Sequence, residues 1–135
     1  MVTIDTNIAF YALARGDKAK FAKSALGTSD FLSAQVLNEF AFASRRKLQR
    51  EWAEISYDID ILLKSVPMIV PVGLASNREA LRIAERYQVS FYDAVMIAVA
   101  LANGASILYS EDMHHGLVID GRLTITNPFL PAEPA

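Results

Sequence analysis

The sequence contains no cysteine among its 135 residues. A chain without thiols has no disulfide framework, no thiolate metal site and no thiol nucleophile. The absence of disulfides is compatible with a reducing compartment, and we expect a cytoplasmic protein.

Long hydrophobic runs are also missing. The longest uncharged apolar run is "AVMIAVALA", residues 94–102, whereas a helix that spans a bilayer needs about 20 apolar residues. Near the N-terminus, Asp5 interrupts the apolar residues at once, so this segment does not resemble a signal peptide. We therefore expect a soluble protein.

The chain has no excess of positive charge, because its formal net charge is −2. The overall charge therefore does not indicate nucleic-acid binding. Four cations nevertheless lie close together in "ASRRKLQR", and we call them the basic cluster: Arg45, Arg46, Lys47 and Arg50. This local concentration leaves a nucleic-acid partner open.

Hydrophobic residues, in contrast, are plentiful. They make up 53% of the chain and charged residues 21%, a balance that is typical of a folded domain with a sizeable core. No repeat or linker divides the sequence, and its length suits one domain. We expect this domain to occupy residues 1–130 and the proline-containing end, residues 131–135, to form a flexible tail.

Short apolar strands alternate with helical segments along the chain. "VTID", "MIVPV", "SILYS" and "LTIT" are typical of strands, and "DFLS" is a brief further candidate. This alternation predicts an α/β fold, a three-layer sandwich in which helices cover both faces of a mostly parallel sheet. The periodic segments between the strands predict helices over residues 7–14, 18–26, 34–48, 50–66, 75–88 and 91–103. Functional sites in such sheets gather at the carboxyl ends of the strands.

Four acidic residues occur among residues that should be buried, and we call them the acidic quartet: Asp5, Glu39, Asp93 and Asp112. Each has an ordinary explanation. Asp5 and Asp93 stand at helix starts, where Asp5 would cap its helix and Asp93 would complete a capping box with Ser90. Glu39 would face solvent from mid-helix, and Asp112 would be a loop residue.

The quartet has a different meaning if its members meet at one edge of the sheet. Unit charges about 6 Å apart repel by roughly 3 kcal/mol per pair at an effective dielectric constant near 20. A marginally stable domain must relieve such repulsion by taking up protons or cations. Ligands that are oxygen atoms only favour Mg²⁺ or Mn²⁺ over zinc. The common use of such sites is hydrolysis of phosphodiester bonds.

The order and spacing of these motifs resemble the PIN domain family, and within it the VapC-type toxins of bacterial toxin–antitoxin pairs. The motifs are "IDTN", "SAQVLNEF", "FYDAVMIAVALANGA", "ILYSEDMHHG" and "NPF", spread from residue 2 to residue 129. The resemblance implies that the acidic quartet is catalytic and holds one or two divalent cations. It implies that Asn7 helps to position the site and that Thr6 and Ser110 are its polar neighbours. Glu111, which stands beside Asp112, is the alternative for that position.

The resemblance also implies an activity and partners. PIN proteins of this type are Mg²⁺- or Mn²⁺-dependent endoribonucleases, and VapC-type members form homodimers that a VapB-type antitoxin inhibits. A PIN nuclease of RNA processing without an antitoxin is the alternative. A phosphoacceptor domain is a distant alternative, because "MIVPV" ends without an acid and "LTITNPF" lacks a lysine. A non-catalytic binding domain is equally distant, because it would lose acids that this chain keeps.

Several further residues are open to two interpretations. The basic cluster would guide RNA to the metals or simply keep the end of a helix solvated. His114 and His115 follow Asp112, but we expect them to have a surface role. Phe91 and Tyr92 have rings that could stack on bases, yet in an apolar segment we expect them in the core.

Overall fold

The computed structural model describes residues 1–131. Strands and helices alternate through most of this part of the chain. The predicted flexible tail lies outside the described residues except for Pro131. In chain order the elements are β1 (Val2–Ile4), α1 (Thr6–Leu13), α2 (Ala19–Gly27), β2 (Leu32–Ser33), α3 (Ala34–Leu48), α4 (Trp52–Ser65), β3 (Ile69–Val70), α5 (Leu74–Tyr87), α6 (Phe91–Ala102), β4 (Ile107–Tyr109), β5 (Val118–Ile119) and β6 (Leu123–Thr126).

The main sheet has the strand order β1-β4-β6-β5. β4 pairs in parallel with both β1 and β6, and β5 is antiparallel to β6. β2 and β3 form a separate parallel pair. This pair is attached beside β1, because the Asp30 N–H donates to the Val2 carbonyl (2.8 Å) and the Thr3 hydroxyl donates to the Phe31 carbonyl (2.7 Å). The predicted α/β fold with a mostly parallel sheet flanked by helices is confirmed.

The parallel registers bring the ends of β1, β4 and β6 to one edge. Ile4 lies opposite Tyr109, and Tyr109 lies opposite Thr126. Asp5 and Ser110 therefore leave neighbouring strands side by side. This edge is where the chemistry expected from the sequence would lie.

α6 is the most buried helix among the described residues. Every residue from 94 to 101 is buried, as its uniformly apolar sequence predicts. Ser90 caps its N-terminus by accepting a hydrogen bond from the Asp93 N–H (3.3 Å). The cap fixes the first turn of α6, and so it also fixes the position of Asp93.

Some details differ from the prediction. β3 covers only Ile69–Val70 of the expected apolar strand, because Pro67 and Pro71 cannot donate to a sheet ladder. β5 was not predicted, since a strand of two residues has no periodicity to detect. The helical pattern of residues 75–88 predicts that Leu81 faces inward, and this prediction is wrong: Leu81 is 49% exposed, and α5 buries Ala80 and Ile83 instead.

No helix within residues 1–131 combines the length and the apolar character that crossing a membrane requires.

Candidate active site

All four members of the acidic quartet line one cavity of about 300 Å³. We call it the acid cavity. It lies at the carboxyl end of β1, between α3 and the first turn of α6. Residues distant in the sequence thus meet at the sheet edge where the parallel topology concentrates functional groups.

Asp5 is the most deeply buried member of the quartet, with 6% of its surface exposed. Its N–H continues the β1–β4 ladder by donating to the Tyr109 carbonyl (2.8 Å). One carboxylate oxygen accepts from the Thr6 N–H (2.7 Å) and the other from the Ser110 hydroxyl (2.8 Å). Asp5 is also the N-cap of α1, so the capping interpretation is correct and does not compete with a role in the cavity.

The pKa of Asp5 is raised from 3.8 to about 6. Burial is the largest cause, because a charged carboxylate loses its hydration. The hydrogen bonds from Thr6 and Ser110 lower the pKa, and the negative charges of Asp93 and Glu39 raise it. Within residues 1–131, no cationic side chain forms an ion pair with Asp5.

Glu39 faces the cavity from the middle of α3 rather than pointing freely to solvent. Its carboxylate accepts a short hydrogen bond from the Thr6 hydroxyl (2.6 Å) and a long one from the Gln35 amide (3.4 Å). Thr6 thus contacts two members of the quartet, Asp5 through its N–H and Glu39 through its hydroxyl.

Asp93 and Asp112 close the other side of the cavity. Asp93 is half-buried, and its pKa is raised, first by burial and then by the negative charge of Asp112, against a lowering hydrogen bond with Ser90. Asp112 is exposed on the loop after β4. Ser110 ties this loop to Asp5, because its hydroxyl accepts from the Met113 N–H (3.2 Å) while it donates to the Asp5 carboxylate.

Glu111 is directed away from the acid cavity. It accepts a hydrogen bond from the Tyr11 hydroxyl (2.6 Å) and forms an ion pair with Lys18. Burial is the largest single cause and raises the pKa of Glu111, but the hydrogen bonds from Lys18 and Tyr11 and the charge of Lys18 together outweigh it and leave the pKa below its usual value. Of the two adjacent acids, Asp112 is therefore the one that lines the cavity.

Asn7 carries a buried polar group without a partner. Neither polar atom of its side chain has a hydrogen bond within residues 1–131, although both are shielded from solvent. An unsatisfied buried amide costs about 1–3 kcal/mol, and such groups are often completed by water or an ion. Asn7 lines the acid cavity, where a bound group would complete its hydrogen bonding.

The cavity suits a hydrated hard cation better than a dehydrated one. Within the described part of the chain, no three acidic or histidine side chains are grouped closely enough to enclose a metal ion by themselves. Mg²⁺ does not need such a cage, because it usually keeps several waters and takes one or two carboxylates. The oxygen-only donors, the unpaired Asn7 amide and the raised pKa of Asp5 all fit Mg²⁺ or Mn²⁺.

The structure divides the basic cluster into two pairs. Arg46 and Lys47 line the acid cavity. Arg45 instead donates to the Arg50 carbonyl (3.1 Å) and lies over the Trp52 ring at 4.9 Å.

Arg50 forms ion pairs with Glu54 (3.0 Å) and Asp58 (2.6 Å). Together with the Arg45 contacts, these pairs hold the junction between α3 and α4. Only Arg46 and Lys47 are therefore positioned beside the acids.

Phe91 and Tyr92 do not have the expected core role, and Phe42, which also lies near the cavity, is exposed as well. The side chains of Phe42 and Tyr92 are 64% and 60% exposed, and Phe91 is also exposed. Hydrophobicity alone predicts their burial, and the only sequence signal against it is their proximity to Glu39 and Asp93. Phe42 is the exposed residue beside the cavity that the sequence did not single out, whereas Phe91 and Tyr92 were already candidates for stacking on bases.

The two histidines lie outside the acid cavity, as expected. Both are exposed. His115 accepts a hydrogen bond from the Asn127 N–H through Nδ1 (2.9 Å) and so ties the loop to the chain after β6.

Comparison with known proteins concerns the sequence family and the fold. A model of the PIN domain matches residues 2–116. No curated protein matches the sequence.

Several solved structures have similar folds. The toxin VapC20 of Mycobacterium tuberculosis, described as cleaving the sarcin–ricin loop, matches with a TM-score of 0.67 and 22% identity over 83% of this chain and 90% of that one. A toxin–antitoxin complex from Klebsiella pneumoniae matches with a TM-score of 0.69 and 17% identity over 96% and 98%. VapBC2 from Rickettsia felis, bound to a promoter DNA fragment, matches with a TM-score of 0.61 and 16% identity over 83% and 89%.

Proposed function

Because the chain belongs to the PIN domain family, we propose that it is a Mg²⁺- or Mn²⁺-dependent endoribonuclease and the toxin of a VapBC-type toxin–antitoxin pair. The observation that carries this proposal is the convergence of the acidic quartet on one cavity beside two cationic side chains, Arg46 and Lys47, that form no ion pair within the described part of the chain. Acids that would hold a metal and cations that would contact phosphate are the groups that phosphodiester hydrolysis needs.

The acidic quartet would hold the metal, whose chemistry is to activate water and to stabilise the leaving oxygen. The protein contributes orientation. Thr6 and Ser110 fix both oxygens of the Asp5 carboxylate, and Thr6 also holds Glu39. We assign Asn7 a positioning role, because it lines the acid cavity and its buried amide has no hydrogen-bond partner within residues 1–131.

The toxin role is favoured over RNA processing by the structural neighbours. They include a toxin described as cleaving the sarcin–ricin loop and two toxin–antitoxin assemblies. We propose a VapB-type antitoxin as the partner that inhibits the enzyme, and a homodimer as the form of the toxin. We propose that the protein acts in the cytoplasm, where a cellular RNA substrate would be available.

Metal removal tests the proposed activity. The purified protein should cleave single-stranded RNA when Mg²⁺ or Mn²⁺ is present and should not cleave it in a chelator. Gel analysis of end-labelled RNA measures both conditions. Cleavage that persists in excess chelator would contradict the proposal.

A matched pair of variants controls for contaminating nucleases. Asp112→Asn should lose most of the activity, whereas Glu111→Gln should retain it, because only Asp112 lines the cavity. Equal activity in the two variants would show that the cleavage does not depend on Asp112 and comes from another site or from a contaminating nuclease.

RNA affinity should depend on the two cations that line the acid cavity. In the double variant Arg46→Ala/Lys47→Ala, the slope of log affinity against log salt should become less steep by about 1.4, since each phosphate contact on a single strand contributes about 0.7. Fluorescence anisotropy with labelled RNA at several salt concentrations gives this slope.

The control variant removes the same charge elsewhere. Lys64→Ala/Arg78→Ala changes exposed cations on α4 and α5 that do not line the cavity, and it should leave the slope nearly unchanged. An identical slope for both double variants would assign Arg46 and Lys47 to solvation of the helix end.

A further inference from the structure

A second cavity, of about 420 Å³, adjoins the acid cavity. We call it the aromatic cavity, and its lining is formed by Gln35, Asn38, Glu39, Phe42 and Tyr92. Glu39 and Phe42 line both cavities, so the two spaces share a wall on α3. A strand held at the acids would therefore have the aromatic cavity directly beside it.

The helical period explains this lining. Gln35, Asn38, Glu39 and Phe42 recur at spacings of three and four residues and so share one face of α3. Tyr92 faces them from the first turn of α6, next to Asp93. The helices that carry Glu39 and Asp93 therefore also carry the two aromatic rings.

The exposure of these rings is costly without a ligand. Phe42 and Tyr92 leave most of their surface in water, although burying a large apolar side chain is worth about 1.5–3 kcal/mol. Both rings are nevertheless held in place. Phe91 packs edge-on against Tyr92 with ring centroids 5.6 Å apart, and the Arg46 guanidinium lies 5.7 Å from the Phe42 ring.

The polar residues of the aromatic cavity favour a nucleobase over a purely apolar ligand. Asn38 and Gln35 place amide groups beside the rings, and amides present both donors and acceptors to base edges. Arg46 connects the two cavities, because it contacts Phe42 and also lines the acid cavity. A base with its attached phosphate matches this combination of aromatic, amide and cationic groups.

We infer that the aromatic cavity is a base-binding subsite, in which one unstacked base of single-stranded RNA stacks on Phe42 and Tyr92 next to the phosphate at the acids. This inference rests on the proposed ribonuclease function and deepens it. The stacking positions the substrate, so the two aromatic residues are positioning residues for the reaction.

The test compares the affinities of a 12-nucleotide RNA and of the same strand without its bases. Anisotropy is measured in the Asp5→Asn background with Mg²⁺, so that the RNA stays intact. The protein should bind the base-bearing strand about 5- to 150-fold more tightly, since stacking on an aromatic residue is worth about 1–3 kcal/mol per base. Adding Phe42→Ala and Tyr92→Ala should remove most of this preference.

Conservative variants and a distant aromatic residue supply the controls. Phe42→Tyr and Tyr92→Phe should keep the preference, because both retain a ring. Tyr57→Ala, which removes an exposed ring from α4, should also keep it. These variants separate loss of stacking from general damage to the surface.

Each other outcome overturns the inference. An unchanged preference in the Phe42→Ala/Tyr92→Ala variant, or no preference in the starting protein, excludes base stacking there. An unchanged preference together with dissociation of a dimer, seen by sedimentation, would assign the surface to protein contact instead. The ribonuclease function is checked separately, because the affinity ratio does not measure it. If the protein with no substitution, including none at Asp5, fails to cleave the base-bearing RNA, that result counts against the ribonuclease function.

Discussion

Replacing Asp5 with asparagine should reduce RNA cleavage by at least about a thousandfold, since a metal and the groups that hold it contribute several kcal/mol to phosphodiester hydrolysis. Asparagine has nearly the same shape, and its side chain can still accept from the Thr6 N–H and interact with Ser110. The loss would therefore reflect the missing charge rather than a changed fold. Initial rates on labelled RNA at saturating Mg²⁺ measure the effect.

Asp17→Asn is the matched control for this experiment. Asp17 is exposed on the turn between α1 and α2, and the same chemical change there should leave the rate within about twofold of the original. Cleavage by the Asp5→Asn variant at a similar rate would remove Asp5 from the catalytic assignment.

The same substitution should stabilise the metal-free protein at neutral pH. The pKa of folded Asp5 is about 6 against 3.8 for the unperturbed side chain, so the folded state holds its proton more tightly than the unfolded state does. The contribution of the protonated Asp5 carboxyl to the free energy of unfolding is therefore complete below about pH 4, and it is lost as the pH rises through about 6. The loss at pH 7 amounts to about 3 kcal/mol at 1.36 kcal/mol per pH unit. Asp5→Asn, which cannot ionise, avoids this loss.

Urea unfolding in chelator at several pH values measures the difference. The variant should exceed the original protein by up to about 3 kcal/mol at pH 7, and the two should be nearly equal at pH 4. Added Mg²⁺ should stabilise the original protein more than the variant, because a ligand that binds the folded state raises its stability. A difference that does not change with pH would show that the Asp5 carboxyl is not destabilised by burial.

The sequence predicted the framework of the fold because its signals are local. The apolar segment of α6 and the bounds of α3, residues 34–48, follow from composition and periodicity. The short β5 and the buried face of α5 did not follow. Two residues are too few to show a pattern, and Leu81 is apolar although the packing of α5 leaves it in solvent.

The candidate site was predictable only in part, because contacts between residues distant in the sequence leave no local signal. Asp5 and Asp112 were placed by strand ends, but the choice between Glu111 and Asp112 depends on the loop. Lys18 and Tyr11, distant in sequence, draw Glu111 away from the cavity. No local pattern records such a contact.

The basic cluster and the exposed aromatics show the same limit. Arg50 looked equivalent to Arg46 in sequence, yet ion pairs with Glu54 and Asp58 direct it to the α3–α4 junction. Phe42 and Tyr92 looked like core residues, because hydrophobicity does not distinguish a core side chain from one that a ligand would cover. Tertiary packing decides both cases.

Isothermal titration calorimetry of Mg²⁺ and Mn²⁺ binding tests most directly whether the acidic quartet forms one cation site. At pH 7 the original protein should bind the metal and Asp5→Asn should bind it far more weakly. At pH 6, where Asp5 is about half protonated, binding should release about half a proton per protein molecule, which buffers of different ionisation enthalpy detect. Heats indistinguishable from dilution at both pH values, with and without RNA, would contradict the account.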